Sequence, residues 1–168
     1  MNEHIEAEVK FEISVEERAM IEDIVKELGF ADQGTEALTD LVFNRRPSEK
    51  EGSQDFDRIR LKAKAIFNPI GETKVWINRD GNWLREEHEF PIVVMNKLRT
   101  TYALDGFHIV LDLAWINEQE RHFVEVEKLV SHDEAENAYK EVEKFARESL
   151  RLGDRPKAPS YLKLFGFK

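Results

Sequence analysis

The run Ile5-Glu6-Ala7-Glu8-Val9-Lys10-Phe11-Glu12-Ile13 alternates apolar and charged residues without a break. A β-strand built on it carries Ile5, Ala7, Val9, Phe11 and Ile13 on one face and Glu6, Glu8, Lys10 and Glu12 on the other. Taken alone, such a strand is most simply apolar toward a core and charged toward water. Later strands change that reading, because they repeat the alternation with complementary charges. Arg58-Ile59-Arg60-Leu61-Lys62-Ala63-Lys64-Ala65 sets bases against apolar residues, and Trp83 to Phe90 aligns Arg85, Glu87 and Glu89. Phe123-Val124-Glu125-Val126-Glu127 then returns carboxylates at the spacing of the first strand.

An open sheet with one wet face would explain the alternation, but it does not call for so many paired carboxylates. A closed antiparallel barrel with its charged faces inward and helices over its apolar faces explains both, and closure also removes edge strands. Charges inside a barrel are costly to desolvate unless paired, hydrated or bound to ions, so that lumen is expected to be a ligand site. Two segments supply the covering helices. Ser14 and Glu17 have the spacing of a capping box, followed by Ile21, Ile24, Val25 and Leu28 at helical intervals and by Gly29 as a stop. Ser131 and Glu134 open a second such segment, whose buried face is Ala135, Ala138, Tyr139, Val142, Phe145 and Ala146.

Between them, residues 30–37 read as a turn or short strand, Leu38 to Phe43 as a strand, and 44–54, with Arg45 and Arg46, as a loop. Lys74 to Arg79 reads as a strand leading into an Asp80-Gly81-Asn82 hairpin turn. Leu98 to Ala103 and Phe107 to Ile116 flank Asp105-Gly106, another hairpin turn. No repeat, low-complexity tract or internal boundary interrupts the 168 residues, which suit a single α+β domain with a real core.

Composition narrows the chemistry. At 41% hydrophobic and 35% charged residues the chain does not read as a membrane protein or as disordered, and its start lacks the pattern of a signal peptide, so a cytoplasmic location is expected. The absence of cysteine removes thiolate metal sites and cysteine nucleophiles, leaving oxygen and imidazole donors and hence hard cations. A net charge of −9 argues against nonspecific nucleic-acid binding, so an anionic ligand would need clustered Lys and Arg. Carboxylates that bind Mg²⁺ or Mn²⁺ beside bases that grip phosphate oxygens describe a polyphosphate site. A metal bridging phosphoryl oxygens orients the chain and neutralises charge on the leaving group.

With these residues in view, the chain resembles the CYTH domain, or triphosphate tunnel metalloenzyme, family, which includes thiamine triphosphatases, tripolyphosphatases, RNA triphosphatases and class IV adenylyl cyclases. Glu6-x-Glu8-x-Lys10 is similar to its ExExK signature, Arg58-Ile59-Arg60 to its RIR strand and Arg85-x-Glu87-x-Glu89 to its RxExE strand. Lys97-x-Arg99 resembles its KxR strand, Asp112 the aspartate of the next strand, Glu125-x-Glu127 the late ExE and Ser160-Tyr161-Leu162 the C-terminal SYL segment, so the likeness spans residues 1–168. The resemblance implies a closed eight-stranded antiparallel tunnel. It further implies that Glu6, Glu8, Asp112, Glu125 and Glu127 hold Mg²⁺ or Mn²⁺, and that Lys10, Arg58, Arg60, Arg85, Lys97 and Arg99 bind phosphates, with Glu6, Glu8 and Lys10 catalytic. Two departures stand out. Asn78 occupies a place where the family usually has lysine, and only a short segment, Phe90 to Asn96, separates the RxExE and KxR strands.

The implied activity is metal-dependent hydrolysis of an inorganic or organic triphosphate. The alternatives are a class IV adenylyl cyclase making cyclic AMP and pyrophosphate, and a polyphosphate- or nucleotide-binding module without turnover. The expected partner is a triphosphate-containing small molecule, without membrane, and a homodimer is left open. Other residues read more plainly. His4, His88, His108, His122 and His132 lack metal-site spacing, Trp76, Trp83 and Trp115 read as packing aromatics, and Arg45 and Arg46 as a solvated pair.

Overall fold

The computed structural model describes residues 4–44, 56–62, 73–79, 82–88 and 93–166, with side chains over 5–42 and 94–166. The opening alternation forms β1 (His4–Ile13), and its apolar positions behave as the period predicts: Ala7, Val9, Phe11 and Ile13 are buried, whereas Glu6, Glu8 and Glu12 are exposed. Helix α1 (Val15–Glu27) starts at a capping box, with the Glu17 N–H donating to the Ser14 hydroxyl at 3.2 Å and the Ser14 N–H donating to the Glu17 carboxylate at 2.7 Å. It ends where Gly29 takes φ +85°, letting the Phe30 N–H reach the Val25 carbonyl at 3.0 Å.

The remaining strands are β2 (Ala31–Asn44), β3 (Phe56–Lys62), β4 (Thr73–Arg79), β5 (Asn82–His88), β6 (Val93–Leu104), β7 (Phe107–Ile116) and β8 (Gln119–Ser131). Strand β2 begins well before Leu38. Asp32-Gln33-Gly34 has turn chemistry, with Gly34 at φ +96° and its N–H on the Asp32 carboxylate at 2.7 Å, yet backbone pairing carries the strand through it. Helix α2 (Ala135–Glu148) is preceded by a single 3-10 turn at His132–Glu134, and α3 (Tyr161–Leu164) lies near the C-terminus. Asp105 at φ +48° and Gly106 at φ +81° make the tight β6–β7 hairpin that their pairing predicts. No helix among the described residues is long and apolar enough to cross a membrane.

The chain packs as two compact units. The first comprises residues 1–36 and 97–168. In it β1 pairs with β8, β8 with β7 and β7 with β6, all antiparallel, and α1 and α2 cover the apolar face. Phe11, Ile21, Val25, Ile109, Leu111, Val124, Val126, Val142 and Leu150 form that core, each fully excluded from water. On the opposite sheet face, Ala114, Ile116 and Phe123 make a smaller cluster under Ala158, Tyr161, Leu164 and Phe165. The second unit, residues 37–96, pairs the far half of β2 with β3 and contains the β4–β5 hairpin. Leu38, Leu41 and Val42 are buried there.

The architecture is α+β and antiparallel, but among the described residues the closed eight-stranded barrel expected from the sequence is not shown. Among the described residues the strands divide into a sheet of order β1-β8-β7-β6-β2-β3 and a separate β4-β5 pair, and the sheet stays open. The physical reason is that a period of two specifies which face of a strand is charged and leaves undetermined which strand edges meet.

Candidate metal and phosphate site

Strand register assembles the charged face of the first unit. Glu8 lies opposite Glu127, and Glu127 opposite His108; Lys10 lies opposite Glu125; Arg99 lies opposite Asp112. Because these positions share one face, their side chains meet as cross-strand neighbours. They sort into a cation-paired half and an acidic half.

In the paired half, Asp112 is wholly buried and accepts four hydrogen bonds. The Arg99 guanidinium donates two of them, at 2.8 Å to Oδ1 and 2.6 Å to Oδ2, while Lys97 Nζ at 3.2 Å and the Tyr161 phenol at 2.8 Å also reach Oδ2. Burial works to raise the Asp112 carboxyl, but the Arg99 hydrogen bonds, the Lys97 charge and the Tyr161 hydrogen bond together hold it below the usual range. Arg99 also donates to Glu125 at 2.7 Å, and Lys10 Nζ sits 2.7 Å from the other Glu125 oxygen. Burial acts against the Arg99 charge, yet the bonds to Asp112 and the charge of Glu125 prevail and keep it firmly protonated. Burial, followed by the Asp112 and Glu125 charges, pushes the Tyr161 phenol well above its ordinary value, so it remains a donor.

In the acidic half, Glu6, Glu8 and Glu127 each offer a carboxylate oxygen within 4.8 Å of the others. Desolvation, then the hydrogen bond and charge of Glu6, then Glu125, push the Glu127 carboxyl up to about 8, with Arg99 pulling the other way. Glu8 is raised too, by desolvation first and then by Glu125. His108 Nδ1 lies 3.5 Å from Glu127. Three hard oxygen donors whose mutual repulsion is only partly relieved suit a small divalent cation, which would hold the deprotonated forms.

This arrangement predicts a pH dependence of stability. A carboxyl at about 8 in the folded chain, against 4.5 ordinarily, keeps a proton that the unfolded chain has already released between those values. The stability it contributes is therefore complete below pH 4.5 and lost as pH rises toward 8. In chelator, the urea midpoint is expected to fall from pH 5 to 8, and less steeply in Glu127→Gln. Mg²⁺ at pH 8 is expected to restore it in the wild type. An equally steep decline in the variant would assign the effect to another group.

Of the residues singled out by sequence, the structure brings together Glu6, Glu8, Lys10, Lys97, Arg99, Asp112, Glu125 and Glu127. Lys97 is buried against Asp112, with 2% of its surface exposed. Arg58 and Arg60 occupy alternate positions of β3, opposite Val42 and Asp40, and Arg85 lies opposite Trp76 on β5. The side chains of Arg58, Arg60, Arg85, Glu87, Asn78, Trp76, Trp83, His4 and His88 lie outside the described ones, as do Arg45, Arg46, Glu89 and the Asp80-Gly81 turn. Two contributors were not assigned a role from sequence. Tyr161 was visible only as part of the SYL segment, and His108 had no spacing to mark it, since its neighbour Glu127 arrives on another strand.

No protein-family model matches the sequence, and no curated protein matches it. Solved structures do. A candidate adenylate cyclase from Vibrio parahaemolyticus superposes with a TM-score of 0.62 at 15% identity, covering 96% of this chain and 97% of that one. A candidate adenylyl cyclase from Hippeastrum with a dominant triphosphatase activity gives a TM-score of 0.51 at 14% identity, covering 98% and 97%. An RNA triphosphatase of S. pombe gives 0.50 at 18% identity, covering 83% of this chain and 64% of that one. With the ExExK strand next to the ExE strand and the KxR strand joined to them through β7 in one sheet, and with these neighbours sharing its architecture, the chain has the fold of the CYTH, or triphosphate tunnel, proteins.

Proposed function

We propose that this protein is a divalent-cation-dependent triphosphatase built as one CYTH-like domain over residues 1–168, acting in the cytoplasm on inorganic tripolyphosphate or an organic triphosphate. The observation that carries the reading is the acidic trio Glu6, Glu8 and Glu127 beside the ammonium of Lys10 and the guanidinium of Arg99 on one sheet face. Glu6, Glu8 and Glu127 would hold Mg²⁺ or Mn²⁺, joined on the motif resemblance by Glu125 and Asp112. When bound, such a cation supplies Lewis-acid polarisation of phosphoryl oxygens and a more acidic water.

The chain's own residues do the rest. Lys10 has three N–H donors and Glu125 occupies one oxygen's worth of them, so the ammonium can donate to phosphate while it stays anchored. Arg99 is oriented by its fork on Asp112, and its charge is secure at any working pH. Lys97, Arg58, Arg60 and Arg85 are assigned to phosphate binding by motif. Asn78, where a lysine is usual, shifts more of that task onto Lys10.

The test is to incubate the protein with tripolyphosphate, ATP and thiamine triphosphate, each with Mg²⁺ or Mn²⁺, and to separate the products. Orthophosphate is expected. Cyclic AMP with pyrophosphate would instead make it a class IV adenylyl cyclase, the reading favoured by the description of the Vibrio parahaemolyticus structure. Tight binding without product would make it a binding module, and absence of binding would overturn all three.

A further inference from the structure

The segment after α2 returns to the charged face and fastens to it at several points. The Arg155 guanidinium donates to the Glu12 carbonyl at 2.7 Å and pairs with Glu17, and the Ala158 N–H donates to the Lys10 carbonyl at 2.8 Å. Tyr161 then arrives with its ring centroid 3.6 Å from Lys10 Nζ and 4.8 Å from Lys97 Nζ, while its phenol donates to Asp112 at 2.8 Å. Its far edge meets Phe123 at 5.2 Å and 81°. One side chain therefore touches both lysines of the charged face and the carboxylate that orients Arg99.

A lysine on its own carries four flexible bonds, and a single carboxylate contact leaves its ammonium free to swing. A ring face beneath the ammonium adds an attraction that grows as water is excluded, and Lys10 keeps only 10% of its side-chain surface exposed. The main-chain bond from Ala158 fixes the root of the same residue. Backbone anchor, ring and Glu125 thus constrain Lys10 from three directions.

We propose that Tyr161 is a positioning residue for phosphate binding: its ring holds the Lys10 ammonium, so the C-terminal segment sets where the charged face meets a triphosphate. The proposal rests on the triphosphatase reading. It differs from a packing role against Phe123 in requiring that the effect of Tyr161 pass through Lys10.

The experiment is a double-mutant cycle on the full-length chain with tripolyphosphate and Mg²⁺, reading KM, kcat and, by calorimetry, tripolyphosphate affinity. Tyr161→Leu is expected to raise KM about tenfold with kcat changed less than about threefold, in keeping with the loss of a partly desolvated cation–ring contact. Tyr161→Phe, which keeps the ring, is expected to stay within about threefold of the wild-type KM. In the Lys10→Ala background, Tyr161→Leu is expected to add nothing to KM. A wild-type KM in Tyr161→Leu, or an equal rise with and without Lys10, would overturn the proposal. If Tyr161→Leu does not fold, Tyr161→Met, which fills the space against Phe123 but has no ring, takes its place in the cycle. Failure of the wild type to bind tripolyphosphate overturns both this proposal and the triphosphatase reading, whereas wild-type binding with an indifferent Tyr161 overturns this one alone.

Discussion

Glu8→Gln, alone or with Glu6→Gln, is expected to cut cation-dependent release of orthophosphate by about 10²–10³-fold, the loss usual when a principal electrostatic stabiliser of a transition state is removed. Glutamine keeps the shape and removes the charge. Because Glu6, Glu8 and Glu127 repel one another, the same change is expected to leave stability equal or slightly higher at pH 8, where the trio is most charged. Activity and stability should therefore move apart, which separates a lost cation site from a damaged fold. Calorimetric titration with Mn²⁺ checks the same point without turnover, and the variant should show little heat of binding. Retention of full cation-dependent activity in Glu6→Gln with Glu8→Gln would sink the proposed metal site.

Asp112→Ala is expected to act in the opposite way, through the fold. The substitution strips Arg99 of a two-pronged partner, removes an anion facing Lys97 and leaves the Tyr161 phenol without its acceptor in a buried place. Removing one member of a buried ion pair costs about 3–5 kcal/mol, which for a chain of this size lowers the melting temperature by roughly 6–20 °C. Glu12→Ala supplies the comparison, since Glu12 pairs with Arg121 at a site nearly half exposed and should cost less than about 1 kcal/mol. Urea unfolding of both variants in chelator makes the measurement. An Asp112→Ala cost no larger than that of Glu12→Ala would show that the cations around it are satisfied elsewhere.

Much of the local structure was legible because it rests on short-range rules. The capping box at Ser14 and Glu17, the stop at Gly29 and the Asp105-Gly106 turn all appear where their residue types require. Strand length was less legible. Residues 30–37 contain Asp32-Gln33-Gly34, so they read as a turn or short strand, whereas ladder hydrogen bonds from a neighbouring strand make residues 31–37 part of the fourteen-residue β2. The second helix likewise begins with a 3-10 turn at His132–Glu134 before the α-helical period takes hold.

Sequence by itself determined that Glu6, Glu8 and Lys10 share a face, that Glu125 and Glu127 share another, and that both faces oppose a greasy one. The backbone geometry of a strand dictates that period whatever the partner strand is. Only the tertiary structure decided which charges meet: Lys10 falls opposite Glu125 and pairs with it, whereas burial and the neighbouring Glu6 drive the Glu127 carboxyl up to about 8. It also brought Tyr161 from the far end of the chain onto Lys10 and Asp112, and among the described residues it shows an open sheet where a closed barrel was expected. These outcomes depend on register, edge pairing and long-range packing, which are set by contacts between residues far apart in sequence and leave no periodic trace along the chain.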